Sequence, residues 1–173
     1  MKRSKNMALA GVLCALAVAG SLISFPVLGS RCAPVQHIVN VLCALLLGPW
    51  YGLGVAFGAS LLRNLLGLGS VLAFPGSMCG ALLCALVYRH CRSVPLTLAA
   101  EAVGTGVVGG LCAYPLALLF VHGDGAAVAC YAYVMPFLIS SGVGAALAGV
   151  LVAALRGAGV LDGKESALSR RKN

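Results

Sequence analysis

Charge is what this sequence has least of. Only 9% of its 173 residues are charged, against roughly 25% in soluble domains, whose surfaces must stay wetted. Acidic residues number four, and aromatic residues make up only 6%. That composition excludes a conventional water-covered surface. The signatures of catalysis are missing too. There is no Gly-x-Ser-x-Gly turn, no Gly-x-Ser-Gly of the kind used by intramembrane serine proteases, and no His-Glu-x-x-His metal site. Nothing points to an enzyme or to a cofactor. The phosphate-binding pattern Gly-x-x-x-x-Gly-Lys-Ser/Thr fails at Gly163-Lys164, where Glu165 follows and Ala158 stands in place of the first glycine. The chain therefore cannot hydrolyse ATP itself, and active import would draw on a partner or an ion gradient. The eight cysteines show no Cys-x-x-Cys or Cys/His ligand spacing, so no metal is expected. Cys14, Cys43, Cys79, Cys84 and Cys112 lie in apolar runs, where a thiol behaves as a small hydrophobe. A Cys32–Cys130 disulfide is conceivable and unsupported.

What is present is apolar. Hydrophobic residues make up 61% of the chain and mean hydropathy is +1.02. A run of about 20 apolar residues crosses the ~30 Å hydrocarbon layer as a helix. In lipid the backbone must satisfy its own hydrogen bonds, which leaves helices or a closed barrel. Continuous Ala, Leu, Val and Gly without strand-like alternation favour helices. The expected fold is an all-α integral membrane protein, a bundle of about six transmembrane helices forming a single domain over 1–173. The breaks place the helices near 7–28, 34–47, 50–66, 70–88, 95–121 and 131–155, with a polar tail at 156–173. The first segment follows Lys2, Arg3 and Lys5. Its 22 residues exceed the 7–15 of a signal-peptide core, and Arg31 spoils Leu28-Gly29-Ser30-Arg31-Cys32 as a lipoprotein site. Segments 2 and 3 are short and either span or form a re-entrant pair.

The net charge of +8 is distributed as a topology signal, which speaks against nucleic acid as a partner. With the N-terminus inside, Lys2, Arg3, Lys5, Arg89, Arg92, Arg156, Lys164, Arg170, Arg171 and Lys172 fall on the inner side, and only Arg31 and Arg63 fall outside. By the positive-inside rule both termini are cytoplasmic, in a multi-pass protein of the cell membrane.

Small residues four apart recur at Gly11/Ala15/Ala19, Gly54/Gly58, Gly76/Gly80, Gly106/Gly110 and Gly142/Ala146. In lipid such faces mark close helix approach. Most read as internal packing, whereas the strip on helix 1 is equally placed to meet a partner subunit. Polar side chains gather toward the outer side. Gln36, Asn40 and Cys43 share a face of segment 2, with His37 beside it, and Ser60, Arg63, Asn64 and Gly67 form a stripe closing segment 3. Converging at the mouth of an oily bundle, they suggest a ligand pocket; taken singly, each reads equally as a cap or a headgroup contact. Glu101 lies six residues into segment 5, and an intramembrane carboxylate is costly unless paired. It is either a site residue, with Thr105, Val108 and Cys112 on its face, or tied to Arg89 or Arg92. Tyr114 points away from Glu101 unless Pro115 kinks the helix. His122 and Asp124 read as a solvated turn, His90 as surface, and Tyr131, Tyr133 and Phe137 as an interfacial belt or a lid.

The strings PVQHIVNV (34–41), LLGPWYG (46–52), RNLLGLGS (63–70), LAFPGSM (72–78) and EAVGTGVVGGLCAYP (101–115) resemble the ThiW family, over about residues 7–155. The resemblance implies a six-helix S component of an energy-coupling factor (ECF) transporter. Such a subunit binds a vitamin or precursor from outside and docks on a transmembrane T component driven by two cytoplasmic ATPases. It also implies hydroxyethylthiazole, the thiazole half of thiamine, as cargo. The helix 1 strip of Gly11, Ala15 and Ala19 would meet the T component. For a small neutral heteroaromatic alcohol, Phe74, Tyr114 or Trp50 would stack, and His37, Asn40 and Asn64 would bond the hydroxyl and ring nitrogen, with Gln36, Glu101 and Thr105 as further candidates for the pocket. Arg63 would become essential only for a phosphate ester. The competing readings are an ion-coupled carrier with Glu101 as relay, an S component for another thiamine-related compound, a membrane enzyme using His37 and Glu101, and a scaffold with no ligand.

Overall fold

Prolines set the starts of three helices. Pro34, Pro49 and Pro95 sit in first turns, where the missing N–H costs nothing and the fixed φ already suits a helix. The computed structural model describes residues 2–27, 30–120 and 129–161. Among these residues there are six helices: α1 Lys2–Gly20, α2 Pro34–Leu46, α3 Pro49–Leu65, α4 Ala73–Cys91, α5 Val94–Phe120 and α6 Val134–Gly157. Leu28, His122, Asp124 and the tail after Leu161 lie outside the described residues.

The first helix ends eight residues before the expected boundary. Gly20 closes it, and Pro26 disfavours helix at the residue before it. The chain instead forms a short antiparallel hairpin, β1 Phe25–Val27 with β2 Ser30–Cys32, pairing Phe25 with Cys32 and Val27 with Ser30. This small sheet is an addition to the all-α expectation. Glycine permits two of the tight reversals. Gly48 (φ 87°) joins α2 to α3, and Gly67 (φ 70°) ends α3 in a left-handed cap, with Leu68 N donating to Arg63 O at 2.8 Å.

Helix α5 is not uniform. Residues Gly104–Gly109 form a π-helical segment upstream of Pro115. One extra residue per turn rotates everything beyond it. Thr105 stays on the Glu101 face and bonds it, but Val108 is 41% exposed and Cys112 is exposed. The expected stripe Glu101, Thr105, Val108, Cys112 is therefore cut after Thr105.

Helix α4 packs against α2, α3 and α5, while α1 lies at the edge against α2 and α3. The contact between α4 and α5 is close because glycines face each other: a methyl on Gly109 would stand 2.5 Å from Gly76 Cα. The ladders at Gly76/Gly80 and Gly106/Gly110 are buried packing surfaces, whereas Gly54, Gly142 and Ala146 are exposed. An apolar core of Val39, Leu42, Leu45, Ala85, Tyr88 and Val152 fills the end of the bundle where α1 begins and α6 finishes. Outside, Leu16, Phe57, Leu65, Leu96, Leu119 and Val150 are exposed. Among the described residues, Val94–Phe120 and Val134–Gly157 are long and apolar enough to cross a bilayer. Helix α2, of 13 residues, is about 20 Å long. This is a membrane-protein fold of six helices.

Candidate functional site

The ends of α1, α3 and α5 meet the starts of α2, α4 and α6 at the end of the bundle away from the termini. A cavity lies there, with about 520 Å³ of empty space counting its open mouth. Helix α2 contributes Gln36 and His37, α3 contributes Arg63, α4 contributes Gly76 and Ser77, α5 contributes Thr105, and α6 contributes Phe137 and Ser140, with Ala33, Ser70 and Ala73 completing the wall.

Behind this wall sits Glu101, fully buried at 0% exposure. It is not tied to Arg89 or Arg92; the Arg92 guanidinium lies 5.5 Å over the Tyr88 ring instead. Glu101 Oε1 gathers three partners. His37 Nδ1 stands at 2.8 Å, Thr105 Oγ1 donates at 2.9 Å and Asn40 Nδ2 donates at 3.3 Å. Three polar partners on one oxygen offset much of the desolvation of a buried carboxyl group. His37 Nε2 is 2.9 Å from Ser140 Oγ, so the imidazole bridges α5 to α6. It also fixes the spacing of α2 and α6, since a methyl on Gly144 would come within 2.5 Å of His37 Cβ.

Asn40 extends the network. Its Nδ2 also approaches Ser77 O at 3.4 Å, and its Oδ1 accepts from Gln36 Nε2 at 3.1 Å. Ser77 Oγ is paired with Ser60 Oγ at 2.8 Å. Among the described residues, Gln36 Oε1 and Glu101 Oε2 are buried without a hydrogen-bond partner. Each is an open acceptor site in a structure whose other polar groups are largely matched.

Of the residues expected from sequence, Gln36, His37, Arg63 and Thr105 line the cavity, and Asn40 and Glu101 lie just behind it. Four do not take part. Asn64 Nδ2 donates to Ser60 O and Ser70 O at 2.8 and 3.1 Å, which makes it a clip between α3 and the following turn. Phe74 packs against Phe57, ring centroids 5.6 Å apart, on the flank of the bundle. Tyr114 is half-buried beyond the π segment and absent from the wall. Trp50 is 77% exposed. Phe137, read as belt or lid, is 8% exposed and provides the aromatic face of the cavity, whereas Tyr131 is 67% exposed. Ser70, Ser77 and Ser140 were not singled out from sequence. The adjacent hydroxyls of Ser140 and Ser141 in an otherwise apolar helix were the available signal for α6. Also unforeseen is the contact of His37 with Glu101, 64 positions apart.

Cys130 is a free thiol, and the Cys32 side chain of the conceivable disulfide lies outside the described residues. Among the described residues no cluster of His, Cys, Asp or Glu is arranged to hold a metal ion.

Searches of curated proteins and of solved structures gave no match. The family model ThiW, described as thiamine-precursor transporter protein, matches residues 7–158. The chain belongs to the ThiW family. It is thus a membrane transport protein and not an enzyme, although its His37–Glu101 pair has the look of an acid–base couple. ThiW membership assigns a thiamine precursor as the class of cargo. A cavity walled by hydroxyls, an amide, an imidazole, a guanidinium and a phenyl ring suits a small polar heteroaromatic molecule.

Proposed function

We propose that this protein is the substrate-binding S component of an ECF importer, capturing hydroxyethylthiazole from outside the cell for ATP-driven uptake. The observation that carries this reading is the cavity at the end of the bundle opposite the start of α1, with a hydrogen-bonding wall that includes one guanidinium, Arg63, and, among the described residues, one aromatic face, Phe137. A ring-sized ligand would stack on Phe137 and take hydrogen bonds from the set Gln36, His37, Thr105 and Ser140. Asn40 and Glu101 would hold that set in place.

The chain would act as a single multi-pass domain with both termini cytoplasmic. Arg3, Lys5, Arg89, Arg92 and Arg156 stand at the end of the bundle opposite the cavity, as the positive-inside rule requires of the cytoplasmic side. The cavity would then open outward. Energy would come from a T component and its two ATPases. On α1, Gly11, Ala15 and Ala19 are exposed, and nothing lies within 4 Å of a methyl built at Gly11, which suits docking of a second helix along that strip.

The isolated protein in detergent, without ATP, is expected to bind hydroxyethylthiazole in a calorimetric titration. Thiamine and the pyrimidine precursor serve as competitors for identity. Silence with all three would remove the reading. Arg63→Ala sorts the cargo further: binding of the neutral alcohol persists, whereas a phosphate ester would lose most of its affinity.

One observation favours a second reading, an ion-coupled carrier: the buried Glu101 carries an unpartnered Oε2 beside His37. Uptake that collapses with an uncoupler while ignoring ATP depletion would select it.

A further inference from the structure

The hydrogen bonds behind the cavity form a one-way chain. Glu101 Oε1 accepts from Thr105 Oγ1 and Asn40 Nδ2 and pairs with His37 Nδ1, so it is an acceptor at that atom toward Asn40. Asn40 must therefore turn its amide nitrogen toward Glu101, and Ser77 O, a second acceptor on the same nitrogen, holds the same orientation. That leaves Asn40 Oδ1 facing Gln36, which must answer with Nε2, as it does at 3.1 Å. The remaining atom, Gln36 Oε1, is then fixed as an acceptor. Gln36 is only 3% exposed, lines the cavity, and leaves that oxygen buried and unpartnered. Flipping the Gln36 amide would bring two oxygens face to face. A buried acceptor left empty is costly, and a ligand that fills it recovers that cost on binding.

We infer that Glu101 is a positioning residue and Gln36 Oε1 the specificity-determining acceptor, so that the cavity selects small molecules presenting a hydroxyl or amino N–H donor at that point. Glu101 touches no ligand: it is fully buried behind the wall. It acts two amides away, by setting which end of Gln36 faces the guest. Because the Gln36 and Asn40 amides carry no charge, the preference at that atom is for a donor rather than for a charge. An alcohol fits; its ether does not.

This inference rests on the reading of the cavity as the precursor site, and the test separates the two. Affinities of hydroxyethylthiazole, its O-methyl ether and the aminopyrimidine precursor are measured by calorimetry on wild-type protein and on Gln36→Met, Asn40→Leu, Glu101→Gln and Glu101→Leu, each checked for monodispersity. Wild type is expected to bind the alcohol about ten- to a hundredfold more tightly than the ether. In Gln36→Met, Asn40→Leu and Glu101→Leu the ratio falls to about one. In Glu101→Gln, which keeps an acceptor oxygen for Asn40, the ratio is restored. A purely structural role would weaken both ligands equally and leave the ratio intact, and that result would overturn the inference. Gln36→Met, a side chain of similar length on the cavity wall, keeps the test decisive where Glu101→Leu does not fold. Equal binding of alcohol and ether by wild type overturns the donor rule while leaving the capture function standing. Binding of the aminopyrimidine alone, with the same dependence on Gln36, overturns the thiazole cargo while supporting the donor rule. No binding of any probe overturns both.

Discussion

Glu101 is the residue on which the polar end of the bundle depends. Its Oε1 satisfies His37, Asn40 and Thr105, buried groups from α2 and α5. Glu101→Ala strands these donors together. At about 1–3 kcal/mol for each buried group left unpaired, the variant is expected to unfold in detergent at a markedly lower temperature than wild type, as read by a thermal melt. Thr105→Val removes a single donor and should cost about 1 kcal/mol. A Glu101→Ala melt no lower than that of Thr105→Val would show that the network carries little of the stability. Sequence reading marked Glu101 as costly because a carboxyl group within an apolar segment needs a partner. It did not identify the partner, since His37 approaches only when α2 and α5 pack.

At the scale of the element, α5 decides the shape of the site. Its π segment lies between Glu101 and Pro115, and its glycines meet α4 at Gly76 and Gly80. A methyl at Gly80 would collide with the Thr105 hydroxyl and come within 3.0 Å of Glu101 Oε1. Gly80→Ala is expected to lose about 1–3 kcal/mol through overpacking and to weaken ligand binding, both measurable by melt and calorimetry. Gly142→Ala, where nothing stands within 4 Å, should leave both unchanged. Equal behaviour of the two variants would sink this account of the α4–α5 contact. The helix starts at Pro34, Pro49 and Pro95 were legible, because proline is best accommodated in the first turn of a helix. The end of α1 was overrun: apolar composition continues through Ser21–Ile23, and hydropathy alone does not register the break before Pro26. The π segment was illegible for a related reason. A periodicity of 3.6 was assumed across Gly104–Gly109, and three glycines there carry no side-chain pattern to contradict it.

For the whole molecule, the two ends of the bundle differ in kind. The end where α1 begins and α6 finishes has an oily, tightly filled interior, while the other is polar and hollow. A subunit built in this way would bind at one end and couple to its partners along a side. Ala15→Leu, on the exposed strip of α1, is expected to bind hydroxyethylthiazole as wild type does in detergent. In cells with the complete importer, accumulation of labelled substrate should fall to background, because bulk on the strip blocks docking. Undiminished uptake would remove α1 from the partner interface.

Membrane residence, the helical class and the gathering of polar side chains toward one end followed from the amino-acid order alone. Hydrocarbon imposes a length, a composition and a self-satisfied backbone on any chain that enters it, and these are one-dimensional constraints. Which polar groups touch was decided only in three dimensions. His37 and Glu101 meet across 64 positions, Ser140 and Phe137 arrive from the last helix, and Phe74, Asn64 and Tyr114 turn elsewhere. The physical reason is that helix rotation and close approach are set by glycine contacts and by one π turn, and each rotates a whole face at once.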